Sequence, residues 1–283
     1  VSNLNKYPIY VISKGRFANC LTAKFLIKDG IDFKLIVEPQ EYQEYFSRFG
    51  DKVVKLPFSN LGLGSYPARN WCWEDSISKG FEKHWILDDN IMNVYRLYKG
   101  IRIVSNSKWA FKFVEDITEN YTNIGISGMN YAMFAGACTK NPMVVNHHIY
   151  SNLLIKNDLS FRWRLRYNED TDLNLQVLDY GLCTLYTNIF LIMKMKTMAM
   201  KEGDGRLKMA RMLENVWPDV VKVKWRFGRP QHVVNWSIFK HGLVKSKEYK
   251  EISLNNYGKL TKVSEIKSNK LKKIYEQSSY KAS

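Results

Sequence analysis

The sequence predicts an α/β fold in which a mostly parallel sheet is flanked by helices. Three observations predict it. Apolar runs of strand length recur through the first half, amphipathic stretches of helix length separate them, and Gly, Pro or Asp-Gly signals close many of them. Strands spaced by helices imply βαβ units, and such sheets bind ligands beyond the carboxyl ends of their strands. With 283 residues, 45% of them hydrophobic, the chain has room for one sizeable core and a smaller appendage.

Tyr7–Ser13 is the first strand and runs into the cationic turn Ser13-Lys14-Gly15-Arg16. Asn19–Lys28 is amphipathic and closed by Asp29-Gly30, so it reads as a helix. Phe33–Val37 is the second strand and ends at Glu38-Pro39; Gln40–Phe49 is helical; Lys52–Leu56 is the third strand. The glycine-containing loop Asn60–Ser65 leads to Pro67 at a helix N1 position, and that helix ends near Gly80. The strand His84–Leu87 then stops abruptly at Asp88-Asp89-Asn90. One crevice should therefore collect Ser13–Arg16, Glu38 and the acidic tripeptide.

The second half is less regular. Asn123–Gly128 and Met143–Ile155 read as strands, the latter interrupted by Asn146-His147-His148. Glu169–Leu178 reads as a helix stopped by Tyr180-Gly181, Leu182–Met195 as a long apolar strand, and Val220–Phe227 as another strand. No internal repeat is present, and the residues after Lys245 read as weakly ordered.

Composition narrows the partners. Lys and Arg number 43 against 27 Asp and Glu, a formal charge of +16, which attracts polyanions such as nucleic acid or phosphorylated cofactors. From Lys240 onward there are 11 Lys, no Arg and four Glu, a net of +7; a solvated basic tail accounts for that run as well as a nucleic-acid contact does. No apolar run approaches the roughly 18 residues of a bilayer span, so no membrane partner is expected. The segment Val1–Lys6 lacks a signal peptide's apolar stretch and reads as trimmed. Cys20, Cys72, Cys138 and Cys183 are scattered without a Cys-x-x-Cys pair, which fits buried thiols in a reducing cytoplasm.

Asp88-Asp89-Asn90 is the most informative tripeptide. Two adjacent carboxylates ending an apolar strand are costly unless a positive group neutralises them. A divalent cation, Mg²⁺ or Mn²⁺, bridging to a diphosphate would do so; a solvated turn with an Asp helix cap is the structural alternative. In Tyr167-Asn168-Glu169-Asp170, a carboxylate at a helix start could accept the proton of an attacking hydroxyl, or could simply complement the helix dipole.

These elements together resemble a known family. Strand–Ser13-Lys14-Gly15-Arg16, strand–Glu38, Tyr66-Pro67-Ala68-Arg69-Asn70 opening a helix, and Trp85-Ile86-Leu87-Asp88-Asp89-Asn90 look like a GT-A nucleotide-sugar glycosyltransferase. More narrowly, residues 7–236 resemble the TET-associated glycosyltransferases, phage enzymes that glycosylate hydroxymethylated pyrimidines in DNA. The resemblance implies a GT-A-like Rossmann-type mixed sheet flanked by helices. It implies donor contacts at Ser13, Lys14, Gly15, Arg16, Glu38 and Asp88, with Arg69 and Asn70 flanking the diphosphate. It implies a divalent cation at Asp89 and Asn90, with His232 either a third ligand or a satisfied structural histidine, and Asp170 beside Glu169 as the base of an inverting enzyme or the acceptor-positioning group of a retaining one. Asn90 departs from the family's Asp-x-Asp pattern, which offers a carboxylate there; an amide oxygen is the weaker ligand, so either Asp89 binds the metal or metal dependence is soft. His147 and His148 alternate across a strand and cannot both face one ion. Gly203-Asp204-Gly205 is either a loop closing over donor or a plain turn.

Two stretches speak to DNA. Arg162, Arg164 and Arg166 occupy alternate positions, as do Lys222, Lys224 and Arg226 opposite Val223, Trp225 and Phe227. Extended chain puts each basic triplet on one face, a ribbon suited to phosphates, or else the solvated face of a half-buried strand. Trp225, Phe227 and Trp236 could stack on an extruded base or pack in a core. The expected organisation is a GT-A-like domain over 1–237, its donor half about 1–130 and acceptor half about 131–237, followed by a basic Lys-rich extension over 238–283. The expected activity is transfer from a UDP-sugar to a hydroxylated cytosine in phage DNA, in the host cytoplasm. A transferase with a protein, lipid or carbohydrate acceptor, and a non-catalytic DNA-binding module of the same fold, are the alternatives.

Overall fold

A computed structural model of the chain describes residues 5–136, 139–195 and 205–258. The first part alternates as the periodicity requires: β1 (Ile9–Ile12), α1 (Leu21–Asp29), β2 (Lys34–Val37), α2 (Tyr42–Phe49), β3 (Val53–Lys55), α3 (Tyr66–Ser78) and β4 (Lys83–Asp88). The second part adds β5 (Ile91–Tyr98), β6 (Ile101–Ser105), α4 (Ser107–Glu119), β7 (Ile124–Tyr131), β8 (Met143–Val145), β9 (Asn152–Lys156) and α5 (Glu169–Asp179). It ends with β10 (Cys183–Lys194), α6 (Arg206–Val216), β11 (Val221–Arg226) and β12 (Arg229–Val234).

Local chemistry explains the boundaries. Gly30 takes φ +71° and donates its N–H to Leu26 and Ile27 carbonyls, closing α1 in the left-handed conformation that glycine adopts without strain. Pro67 opens α3, where the missing N–H is no loss. Asn106 caps α4 by accepting from the Lys108 N–H. Glu169, Asp170 and Asp172 crowd the first turn of α5, the end where the helix dipole favours negative charge.

Among the described residues, ten strands form one sheet in the order β3-β2-β1-β4-β9-β7-β10-β5-β6, with β8 on β10. β3, β2, β1 and β4 are parallel neighbours. β9 is inserted antiparallel between β4 and β7, so β7 and its parallel neighbour β10 run with β4. β5 and β8 oppose β10, and β6 opposes β5. The sheet is mixed, with most of its strands running one way and helices flanking it. The buried side chains Trp73, Ile86, Leu153, Trp163, Leu173 and Val177 pack together as the core between sheet, α3 and α5.

The hairpin β5–β6 and helices α4 and α6 are additions to the elements read from the sequence. Two extended readings are corrected. Residues 161–167 are not a strand, because Arg162 and Arg164 are drawn to Glu74 and Asp172 while the intervening Trp163 is buried. Asn146 takes φ +59° and ends β8, so His147 and His148 do not alternate across a strand; their ring centroids lie 4.3 Å apart.

The chain divides into compact units, Val1–Lys250 and Glu251–Ser283. Within the first, Thr122 N–H donates to Val244 O and Ser246 N–H to Asn120 O, tying the stretch before Lys250 to the turn after α4. The described part of the second holds a 3-10 turn at Leu254–Asn256. Cys20, Cys72 and Cys183 are free and buried. Cys138, Gly203-Asp204 and the lysines from Lys259 onward lie outside the described residues.

Candidate active site

The carboxyl ends of β1, β2 and β4 open onto a cavity of about 540 Å³. Ser13, Lys14, Arg16, Glu38, Arg69, Asp88, Asp89, Asn90, Glu169, Asp170 and His232, all singled out from the sequence, line it. Residues more than 200 positions apart therefore meet at one crevice, as the crevice rule for open α/β sheets requires.

The β1 turn supplies one wall. Ser13 Oγ donates to Asp89 Oδ2 at 2.6 Å, and Arg16 Nη1 meets Asp89 Oδ1 at 2.7 Å. Lys14 Nζ meets Glu38 Oε2 at 2.6 Å. Burial pushes the Asp89 carboxyl up, partly offset by Ser13 and Arg16 and reinforced by Asp88. Burial would also raise Glu38, yet the Lys14, Gln40 and Asn60 contacts hold it below its ordinary value. The Gly15 N–H donates to Glu41 at 2.8 Å, shaping the turn.

Arg69, 2% exposed on α3, is the hub of the opposite wall. Its Nη2 meets Asp88 Oδ1 at 2.9 Å and Glu169 Oε1 at 3.5 Å, and its Nη1 lies 3.5 Å from Asp170 Oδ1. Its guanidinium also lies over the Trp163 ring, 4.6 Å from the centroid. Asn70 is turned elsewhere: it donates to Trp163 O and accepts from Trp163 N–H, fixing the loop that holds that ring.

Two residues unclaimed from the sequence complete the wall. Ser151 takes φ +63°, a conformation uncommon for a residue with a Cβ. That bend lets its N–H donate to Asp170 Oδ2 at 3.1 Å and its Oγ to Asp88 Oδ2 at 2.7 Å. Lys194, at the end of β10, donates to the same Asp88 oxygen at 2.7 Å. Burial works against the charged form of Asp88, but Lys194 and Arg69 outweigh it and hold the carboxyl well below the usual range. Asp170 shows the opposite balance. Its Oδ1 is buried without a hydrogen-bond partner, and burial, with Glu169 and Asp88 nearby, pushes its carboxyl up to about 7 against the opposing pull of Arg69. A carboxyl with a vacant oxygen and that affinity for protons suits proton transfer near neutrality.

A family model described as TET-Associated Glycosyltransferase matches residues 7–203, well over half of the chain. The chain belongs to the TET-associated glycosyltransferase family. The match spans all of β1 to β10, and so nearly every cavity residue just described. No curated protein matches the chain. Among solved structures, the inositol-1-phosphate CTP transferase from T. maritima is similar over 73% of this chain and 96% of that one, at 11% identity and a TM-score of 0.38. That likeness is too distant to carry an argument.

A divalent cation is implied for a transferase of this kind, and Asp88, Asp89, Asn90 and His232 are the side chains placed to receive one. Both oxygens of Asp88 are taken, by Arg69 on one side and by Ser151 and Lys194 on the other. Each oxygen of Asp89 accepts one hydrogen bond, from Arg16 and from Ser13, and the Arg16 guanidinium already brings its positive charge to that carboxylate. Asn90 Oδ1 is buried without a partner, a single neutral donor. Among the described residues, no three His, Cys, Asp or Glu side chains gather as a metal site. An ion bound about 2.1 Å from an Asp88 oxygen would stand against an ammonium or a guanidinium already on that carboxylate. The residues present do not fit a resident divalent cation. His232 lines the cavity from β12, its imidazole pulled down by burial.

The two basic triplets of this TET-associated glycosyltransferase differ in how free they are. Arg162 meets Glu74 at 2.8 Å and Arg164 meets the buried Asp172 at 3.0 Å, while Arg166 lies over Tyr167. Lys222, Lys224 and Arg226 are exposed on β11. Of the two readings open for Trp225 and Phe227, core packing does not hold, because they are 73% and 92% exposed. The β11–β12 hairpin is a separate two-stranded sheet, and Phe227 sits in the turn at φ +52° rather than in the strand. Trp236 is elsewhere, stacked on His147 with centroids 5.1 Å apart. No helix among the described residues is long and apolar enough to cross a membrane.

Proposed function

We propose that the protein transfers a sugar from a nucleoside-diphosphate sugar, a UDP-sugar by preference, to the hydroxyl of hydroxymethylcytosine or a related hydroxylated pyrimidine in DNA. The observation that carries the reading is Asp170, buried in an ion pair with Arg69 while its Oδ1 accepts no hydrogen bond, and lining the same cavity as the Ser13–Arg16 turn. In this reading Lys14, Arg16 and Arg69 bind the donor's diphosphate, and Glu38 at the end of β2 orients its nucleoside. Asp170 accepts the proton of the attacking hydroxyl in an inverting reaction, while Glu169, held by Ser65 at 2.8 Å, keeps Arg69 in line.

The DNA acceptor is supported by charge and exposure. The β11–β12 hairpin carries Lys222, Lys224, Arg226 and Arg229 with no acidic residue, and its His232 lines the cavity. Basic side chains tracking phosphates next to bare aromatics suit DNA whose target base leaves the stack.

The test is a donor screen read by mass spectrometry. The protein is mixed with several nucleotide sugars and duplex DNA containing cytosine or hydroxymethylcytosine, with and without Mn²⁺. A pentose or hexose mass on the hydroxymethyl base alone is the expected result. Donor hydrolysis without DNA modification would overturn the acceptor and favour a protein, lipid or carbohydrate one. DNA retention without turnover of any donor would favour a non-catalytic DNA-binding protein.

A further inference from the structure

Strand β10 carries no charged side chain from Cys183 to Met193 and then presents Lys194 at its end. Its pairing with β5 slips between Met193 and Lys194, and a slip of this kind re-aims a side chain. Lys194 Nζ is thereby brought to 2.7 Å from both Asp88 Oδ2 and Ser151 Oγ, at the cavity wall. An ammonium has three N–H donors. Asp88 and Ser151 take two, which leaves the third for an anion in the cavity. Arg69 flanks Asp88 on its other oxygen and Arg16 flanks Asp89, so both carboxylates of the tripeptide are matched by side-chain cations.

We infer that Lys194 supplies, together with Arg69 and Arg16, the positive charge that a divalent cation would otherwise bring to the donor's diphosphate, and that transfer proceeds without a metal ion. The inference rests on the nucleoside-diphosphate-sugar reading above. In the step it serves, the acceptor oxygen bonds to the anomeric carbon as the bond from that carbon to the β-phosphate oxygen breaks. The electron pair leaves with the nucleoside diphosphate, and the hydroxyl proton passes to Asp170. Lys194 meets the negative charge growing on the departing oxygen. Asp88 acts as the positioning residue that holds Lys194 at the cavity wall.

Calorimetry of UDP and UMP binding to the full chain, in EDTA and again in Mn²⁺, tests this. UDP is expected to bind in EDTA, with Mn²⁺ changing its affinity by less than about threefold. Lys194→Met is expected to weaken UDP about tenfold or more, the worth of one charge-assisted hydrogen bond, while leaving UMP nearly unchanged. Lys194→Arg, which keeps the charge, retains most of the UDP affinity and stands in if the Met variant melts early. UDP binding that appears only with Mn²⁺ would overturn the inference, as would equal UDP affinity in Lys194→Met and the parent. UDP that binds under neither condition would overturn the donor reading and this inference with it, a result distinct from metal-gated binding.

Discussion

Arg69 Nη1 lies 3.5 Å from Asp170 Oδ1 while Arg69 Nη2 lies 2.9 Å from Asp88 Oδ1, so one buried guanidinium ties the end of β4 to the first turn of α5. Only a planar fork can hold both carboxylates; a lysine is a point charge that reaches one. Arg69→Lys should therefore lower kcat/KM by about a hundredfold, the scale of losing one preorganised donor at a developing charge. Arg69→Ala should in addition destabilise the fold by about 3–5 kcal/mol, because it leaves paired carboxylates buried without their partner. Donor-saturation kinetics and urea melts separate the two effects. A fully active Arg69→Lys enzyme would refute the bridging role.

The raised Asp170 affinity for protons sets a pH profile. A carboxyl pushed up to about 7 is protonated below that value and cannot accept a second proton. Transfer should therefore fall about tenfold per unit as pH drops below 7 and level off above it. Asp170→Asn should leave only a low rate without that inflection. A flat profile between pH 5.5 and 8 in the parent enzyme would remove Asp170 from the role of base.

The first half of the chain was legible because its signals are local. Each strand end announces itself by an abrupt change, from Val11-Ile12 to Ser13-Lys14 or from Ile86-Leu87 to Asp88-Asp89, and the crevice rule then gathers those ends. Lys194 carried the same signal, a charge ending an uncharged strand, and was readable in principle. Ser151 was not, since its role comes from a left-handed backbone and not from its residue type. The β5–β6 hairpin was hidden because Arg96 is buried mid-strand, where alternation would demand an apolar residue. The exposure of the β11–β12 tip was hidden for the converse reason: in any pattern of hydrophobicity Trp225 and Phe227 suit a packed core and a stacking surface equally well.

Asp89 separates chemistry from DNA retention. Its carboxylate fixes Ser13 and Arg16 at the cavity wall, whereas the basic side chains of β11 are exposed. Asp89→Ala should abolish sugar transfer, by about a hundredfold or more, and leave DNA affinity within about twofold. Filter binding beside the mass assay reads both. Full transfer activity in that variant would refute the assignment of the site.

Glu115 gives a stability test away from the site. Its side chain is 3% exposed and accepts from the Trp85 Nε1–H and the Lys6 N–H, and burial pushes its carboxyl up to about 7. Unfolded, the group ionises near its ordinary value, so the folded state binds the proton more tightly. Stability is accordingly lost as pH rises from about 4.5 to about 7, and then stays level. Glu115→Gln lacks this ionisation. Its Tm relative to the parent should move in the variant's favour between pH 4.5 and pH 8, whatever the fixed effect of the amide. A pH-independent Tm difference would show that Glu115 ionises normally.

The β11–β12 hairpin makes opposite predictions for its charges and its aromatics. Removing a cation that touches a phosphate lowers the salt dependence of binding by about one counterion, whereas removing an aromatic that stacks on bases does not. Lys222→Ala, Lys224→Ala and Arg226→Ala should each flatten the slope of log affinity against log salt by up to about one. Trp225→Ala with Phe227→Ala should weaken DNA binding at every salt concentration with the slope unchanged. Both side chains are exposed, so the unfolding free energy should change by no more than the range of ordinary surface substitutions, about 0.5 kcal/mol. Fluorescence anisotropy across a salt series reads all of this. If the charge variants bind as the parent does, the DNA contact lies elsewhere. The loop cations are the weaker place to look, because Arg162 and Arg164 would first have to leave Glu74 and Asp172.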